Sequence, residues 1–283
     1  MADRRLRCFG CLVGKIIAVA NQKGGVGKST TCINLSASLC AMQRSVLLLD
    51  LDPQGNTTMG SGVDKTTLAA SMTEVLLGEQ ALKSVLINTE AGYDVGPSNS
   101  ELTAAEIGLL SLSRREQRLL QALVPERSRY DFVIIDCPPA LNMLTLNALA
   151  AADSILIPMQ CEYYALEGVS GLMETIKQIK DSVNPRLSVE GVLRTMYDGR
   201  SRLTLEVSDQ LAVHFGPLLY NTVIPRNVRL AEAPSHGLPA LMYDRMSPGA
   251  QAYLALAKEI LQAREADFSD QGQAVGQAVE MNT

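Results

Sequence analysis

Residues 21–30 read Asn-Gln-Lys-Gly-Gly-Val-Gly-Lys-Ser-Thr. The last part, Gly27-Lys28-Ser29, has the form of the end of a phosphate-binding loop. The general pattern of such loops, G-x-x-x-x-G-K-[ST], wants glycine at position 22. Here that position is Gln22, and a second lysine, Lys23, precedes Gly24 and Gly25. An apolar run, Lys15–Ala20, comes before the loop, and a helical pattern over Ser29–Met42 follows it. Strand, glycine-rich turn and helix are the context a phosphate cradle needs. Gly24, Gly25 and Gly27 free the backbone to turn its N–H groups inward. The helix start adds partial positive charge. Val26 and Thr30 complete the candidate loop. Lys28 is placed to reach the β- and γ-phosphates, and the Ser29 hydroxyl to ligate Mg²⁺.

Such a cation needs a second carboxylate. Asp136 ends the apolar run Phe132-Val133-Ile134-Ile135, where a Walker-B aspartate sits, and two prolines follow Cys137. Ser45–Leu49 reads as a further strand, ending in Asp50-Leu51-Asp52. Two carboxylates so close to a phosphate need a metal or a proton to handle, one assisting the metal and the other orienting water. Ser29, Asp52 and Asp136 are the candidate metal set.

Outward from these motifs, strand-like runs alternate with helical ones. Strands are expected at 130–135 and 154–158, and weaker ones at 187–193 and 220–224. Helices are expected at 101–123, 141–151, 166–180, 203–214 and 248–263. This alternation predicts an α/β fold: a single-domain P-loop NTPase with a mostly parallel, twisted sheet flanked by helices on both faces. The 283 residues suffice for one large core. They are 47% apolar but only 4% aromatic, as an aliphatic parallel sheet requires. The domain is expected to span 15–264. Residues 1–14 are expected to be an N-terminal extension before the first strand. Residues 265–283 are expected to form a disordered acidic tail, since they carry no Lys or Arg.

A net charge of −5 gives no whole-molecule attraction to nucleic acid, so any such binding needs a local patch. The six scattered cysteines suit reduced thiols, and the lone Cys8-x-x-Cys11 lacks a second pair for zinc. No run of about 18 apolar residues is present. His214 and His236 are assigned no chemistry.

With KGGVGKST, DLDPQGN and FVIIDCPP in order, the chain resembles the deviant Walker-A ATPases. Among these it is most similar to the ParA/Soj chromosome-partitioning proteins. The likeness covers about residues 15–264 and includes the late stretch beginning TVIPRNVRLAEAPSHG. In that family K-G-G-x-x-G-K-[ST] is the ordinary pattern, so Gln22 is no defect. The resemblance implies ATP and Mg²⁺ as cofactors. It makes Lys23 the signature lysine that reaches a partner's nucleotide across a homodimer, and Gly24 the point of close approach. It makes Asp52 the residue that orients the hydrolytic water and Asp136 the Walker-B aspartate. It puts Pro225 and Asn227 beside the adenine. It also implies non-specific binding of double-stranded DNA by the ATP dimer. Arg200 and Arg229 best match the DNA-contacting positions, and Arg226 is a further candidate in the same arginine-bearing stretch, which is about neutral overall. A centromere-binding ParB-type partner would trigger hydrolysis and release, and the protein would be cytoplasmic and nucleoid-associated, without a membrane partner. The helix-turn-helix domain of the larger plasmid-type relatives is not expected in this chain. The alternative is a membrane-cycling regulator of cell division or cargo positioning like MinD, against which the acidic tail counts. A redox role like that of the nitrogenase iron protein would need a second thiolate partner for Cys137.

Overall fold

The computed structural model describes residues 14–162 and 165–280, with side chains for 14–162 and 171–266. Among the described residues an eight-stranded sheet runs in the order β3-β4-β2-β5-β1-β6-β7-β8. The strands are β1 (Lys15–Val19), β2 (Val46–Asp50), β3 (Ile87–Asn88), β4 (Asp94–Gly96), β5 (Phe132–Asp136), β6 (Ser154–Gln160), β7 (Ser188–Tyr197) and β8 (Leu219–Pro225). All neighbours pair in parallel except β3 with β4. Parallel pairing requires crossovers, and helices supply them. The longer ones are α1 (Lys28–Ala41), α2 (Leu102–Leu109), α3 (Met143–Ala151), α4 (Ala165–Ser182), α5 (Arg202–Phe215) and α6 (Pro248–Glu280).

Strand periodicity divides the core in two. Ile16, Ala18, Leu47, Leu49, Val133 and Ile135 face one layer, with α2, α3 and α5 beyond them. Ile17, Val19, Leu48, Phe132, Ile134 and Leu156 face the other, against α1 and α6. Every strand residue of β2 and β5 is buried. This is why these strands read as unbroken apolar runs.

The structure differs from the sequence expectations at several elements, among them short helices such as Met72–Leu77, which the sequence pattern does not predict. The helix expected over 101–123 is broken into α2, a 3₁₀ turn at Arg115–Gln117 and a short helix at Arg118–Leu123. Arg114 adopts a left-handed φ of 50°, which no helix continues through. The edge strands β3 and β4 are absent from the expected set, being only 2 and 3 residues long. The last helix passes Ala263 and carries helical backbone through the acidic stretch to Glu280. Met1–Val13, with the Cys8-x-x-Cys11 pair, lies outside the described residues. His214 and His236 pack on Phe215 and Tyr243.

The strand order fixes where a ligand can sit. From β1 the chain moves past β5 to β2, whereas from β5 it crosses β1 to reach β6. The connections diverge at the carboxyl ends of β1 and β5, and such a divergence opens a crevice. The loop from Asn21 to Gly27 fills the mouth of that crevice.

Candidate nucleotide-binding site

The loop is clipped at its start. Asn21 donates to the Pro158 carbonyl at 2.7 Å and accepts from the Lys23 N–H at 2.9 Å. Gly25 and Gly27 take φ of 74° and 87°, a region other residues enter at a cost of about 1–2 kcal/mol. Gly27 then leads into α1 without any side-chain cap, and no acid lies in the first turn. The helix therefore presents free N–H groups to whatever occupies the loop. Lys28 is only 7% exposed, and its ammonium donates to the Lys23 carbonyl at 3.2 Å. A cation so enclosed, with one neutral acceptor, is built to meet an anion.

The carboxylates converge from two neighbouring strands. Parallel register puts Asp50 directly beside Asp136, and Val19 at the end of β1 on the other side of Asp136. Both aspartates are fully buried. Thr57 donates to Asp136 Oδ2 at 2.7 Å, and the Ser29 hydroxyl lies beside this carboxylate and acts to lower its pKa. Asp136 Oδ1 is buried and has no protein partner. A buried carboxylate oxygen left bare beside a serine hydroxyl is what a hard, oxygen-seeking cation requires. Ser29 and Asp136 thus fit Mg²⁺ on their own chemistry.

Asp50 and Asp52 separate in role. Asp50 accepts from the Thr58 N–H at 2.8 Å, the Thr58 hydroxyl at 2.7 Å and the Asp52 N–H at 3.1 Å. It is saturated and faces inward. Asp52 lines the phosphate cavity instead, and its Oδ1 accepts only from the Gln54 N–H, at 3.0 Å. Ser98 holds the Asp52 carbonyl at 2.8 Å. Asp50 therefore positions the segment that carries Asp52.

Burial, and then the charge of Asp136, pushes the Asp50 carboxyl up to about 7. Burial likewise pushes Asp136 up to about 6, against the opposing effects of Ser29 and Thr57. A folded-state pKa above the unfolded one adds stability at low pH, which is lost as pH rises through the folded value. The nucleotide-free protein should therefore lose stability as pH climbs from about 4 towards 7. Thermal melts across that window check this. Asp50→Asn should flatten the slope and cost about 1–3 kcal/mol through its mispaired amide; an undiminished slope would remove Asp50 as its source.

Two cavities share the crevice. The first, about 420 Å³, is bounded by Gly24, Lys28, Ser29, Asp52, Pro139 and Met196. The second, about 220 Å³, is bounded by Thr30, Met196, Ile224, Pro225, Asn227 and Tyr253. The first is the more polar of the two and is lined by a cation; the second is largely apolar, with a few polar groups. Thr30 and Met196 belong to both. Asn227 accepts from the Arg229 N–H at 3.1 Å, capping the short helix at Val228–Glu232.

The remaining sequence candidates lie around this mouth. Lys23 is half-exposed and pairs with Glu162 of its own chain. A Cβ added to Gly24 would meet nothing within 4 Å. Arg200 is 92% exposed and paired with Asp198, while Arg229 pairs with Glu232 and Asp244. Arg226 has no ion-pair partner among the described residues. All three arginines follow the carboxyl ends of β7 or β8, the same end of the sheet as the phosphate loop. Sequence reasoning misses Asn21, Thr57, Glu162, Thr195 and Met196. The threonines carry no motif signal, since their roles arise from β-strand neighbours far apart in the chain. No group of three or more His, Cys, Asp or Glu capable of holding a metal occurs among the described residues.

A helix N-terminus opening from a glycine loop, with carboxylates on the adjacent strands, is the arrangement of a P-loop NTPase. Residues 14–189 match a family model described as an AAA domain. The chromosome partitioning protein ParA of Myxococcus xanthus strain DK1622 is 48% identical over 250 residues, 88% of this chain and 88% of that protein. The sporulation initiation inhibitor protein Soj of Bacillus subtilis strain 168 is 48% identical over 249 residues, 88% of this chain and 98% of that protein. A solved Mycobacterium smegmatis structure, described as cobyrinic acid a,c-diamide synthase with bound ADP and magnesium, superposes with a TM-score of 0.80. It is 37% identical, and the match covers 90% of this chain and 96% of that one. The chain belongs to the ParA/Soj family of chromosome-partitioning ATPases.

Proposed function

We propose that this chain is an ATP-fuelled DNA-segregation switch that hydrolyses ATP to ADP and phosphate with Mg²⁺. The observation that carries the reading is the phosphate cavity, where the enclosed Lys28, the bare oxygen of Asp136 and the cavity-facing Asp52 surround one space. Gly24, Gly25, Val26 and Gly27 bind phosphate oxygens through backbone N–H groups, and Lys28 neutralises them. Ser29 and Asp136 hold Mg²⁺, with Asp52 nearby, and the ion offsets negative charge on the phosphates when bound. Asp52 orients the attacking water. Pro225 and Asn227 hold the base.

Two features support an ATP-dependent homodimer. Lys23 stands at the cavity mouth on a half-exposed, exchangeable ion pair, worth little in solvent. Nothing in its own chain requires glycine at Gly24, which has an ordinary φ and open space before it. A close-approaching second copy supplies the reason, and Lys23 supplied in trans would make hydrolysis depend on that approach. Arg200, Arg226 and Arg229 then form a phosphate-gripping surface for double-stranded DNA without base readout. A ParB-type partner stimulates hydrolysis and release, and the protein works on the nucleoid in the cytoplasm.

Binding of non-specific duplex DNA, measured with ATP, ADP or no nucleotide at two salt concentrations, tests this. Binding should appear only with Mg-ATP and fall steeply with salt. Arg229→Ala should lower the salt slope by about 0.9 for each DNA phosphate that the arginine neutralises. DNA binding in no state, with capture by anionic liposomes instead, would favour the MinD-like alternative. No described helix is long and apolar enough to cross a membrane.

A further inference from the structure

Met196 is one of three non-glycine residues with positive φ among the described residues, at 48°. The other two, Gln43 and Arg114, sit in surface connections; Met196 sits inside β7. The pairing of β7 with β8 slips across it, between Arg194 and Tyr197, and once before it, between Val192 and Arg194. Such a bulge re-aims the residues that flank it. Before it, the Thr195 hydroxyl donates to the Val26 carbonyl at 2.8 Å, and Thr195 is the nearest neighbour of any Cβ added at Gly27. After it, the Tyr197 carbonyl accepts from the Arg226 N–H at 3.2 Å. Next comes Asp198, which accepts from the Arg200 N–H at 3.1 Å and from its guanidinium Nε at 3.0 Å, and from the Ser201 N–H at 3.1 Å. The Met196 side chain lines both cavities, and its sulfur meets Gln160 Nε2 at the end of β6.

One strained residue therefore stands between the phosphate loop and the arginine turn. The turn at Asp198–Ser201 lines neither cavity. Two routes run to it from the cavities, one along β7 and one through the Arg226 loop; they meet where the Arg226 N–H bonds the Tyr197 carbonyl, and the Arg226 charge also acts on Asp198. We propose that Met196 is a positioning residue whose left-handed backbone couples nucleotide occupancy of the two cavities to the order of the Asp198–Ser201 turn, and so to the presentation of Arg200. The inference rests on the nucleotide reading of the cavities. A long side chain held left-handed is strained, and it persists only where its surroundings over-determine it. Filling the cavities packs atoms against the thioether and fixes the strained state. Emptying them lets the joint relax and the turn loosen.

The test is amide hydrogen exchange of the full-length protein, with and without Mg-ATP, reading the Asp198–Ser201 segment. In the wild type, nucleotide should slow exchange there by about fivefold, the factor a strain of this size is worth. Met196→Gly removes the strain and should abolish that response at nucleotide concentrations that a calorimetric titration of the variant shows to be saturating, its affinity being free to change because Met196 lines both cavities. Met196→Leu keeps bulk and strain and should retain the response. An equal response in wild type and Met196→Gly overturns the proposal, as does a turn that ignores nucleotide in the wild type. Equal loss in both variants also overturns it, because the backbone is then not the joint. A wild type that binds no nucleotide sinks the cavity reading and this proposal together, whereas bound nucleotide with an indifferent turn sinks this proposal alone.

Discussion

Replacing Lys28 with alanine should abolish the response of the protein to nucleotide. The ammonium is enclosed against the phosphate loop with a single neutral acceptor, the Lys23 carbonyl. In that state it has given up most of its hydration, and the nearby Asp136 carboxylate acts on it without bonding it. A bound polyphosphate supplies a bonded counter-charge, and each charge-assisted hydrogen bond is worth about 1.5–3 kcal/mol. Removing one such bond weakens binding by about 10- to 150-fold, and Lys28 is placed to reach two phosphates. The fold should survive, because the alanine leaves only a loop carbonyl unpaired. Calorimetric titration with ATP, alongside a thermal melt, checks both parts. Tight ATP binding by a well-folded Lys28→Ala protein would take the lysine out of the phosphate site.

That prediction is accessible from ten residues, and the reason is physical. A phosphate cradle is local: its glycines, its lysine and its helix start are contiguous in the chain, so their spacing is their geometry. The same holds for β1, β2 and β5, whose burial on both faces writes an unbroken apolar run into the sequence. Elements lacking that property are illegible. The strands β3 and β4 are too short to carry a period, and the helical pattern over 101–123 hides a break at Arg114 that rests on one left-handed φ. At the site, Asp50 and Asp52 are indistinguishable by spacing. They part only when Thr58, six residues past Asp52, folds back onto Asp50 and saturates it. The clip from Asn21 to Pro158 and the bond from Thr195 to Val26 span 137 and 169 residues. No local pattern encodes contacts made by parallel neighbours through long crossovers. The in-cis pairing of Lys23 with Glu162 belongs to the same class.

Asp52→Ala should separate ATP binding from ATP hydrolysis, and this follows from how the loop around it is held. The carboxylate lines the phosphate cavity, and its only donor among the described residues is the Gln54 N–H of its own turn. The backbone of Asp52 is anchored independently, its N–H by Asp50 and its carbonyl by Ser98. Deleting the side chain therefore removes an acceptor from the cavity and leaves the loop, the cradle and Lys28 in place. A residue that positions or deprotonates the attacking water contributes about 10²- to 10⁴-fold to the rate. Single-turnover hydrolysis should fall by that amount while ATP affinity stays within a few-fold of wild type. Because release from DNA is proposed to wait on hydrolysis, the ATP-bound variant should persist on duplex DNA after the wild type has left. The two readouts fail in different ways. Unchanged hydrolysis would move the water-orienting role away from Asp52. Slowed hydrolysis without prolonged DNA residence would keep Asp52 in the chemistry but break the link between turnover and release. A loss of ATP affinity as large as that of Lys28→Ala would mean that Asp52 serves the ground state, holding the metal or the loop, and the two carboxylates beside the phosphates would then exchange the roles argued for them.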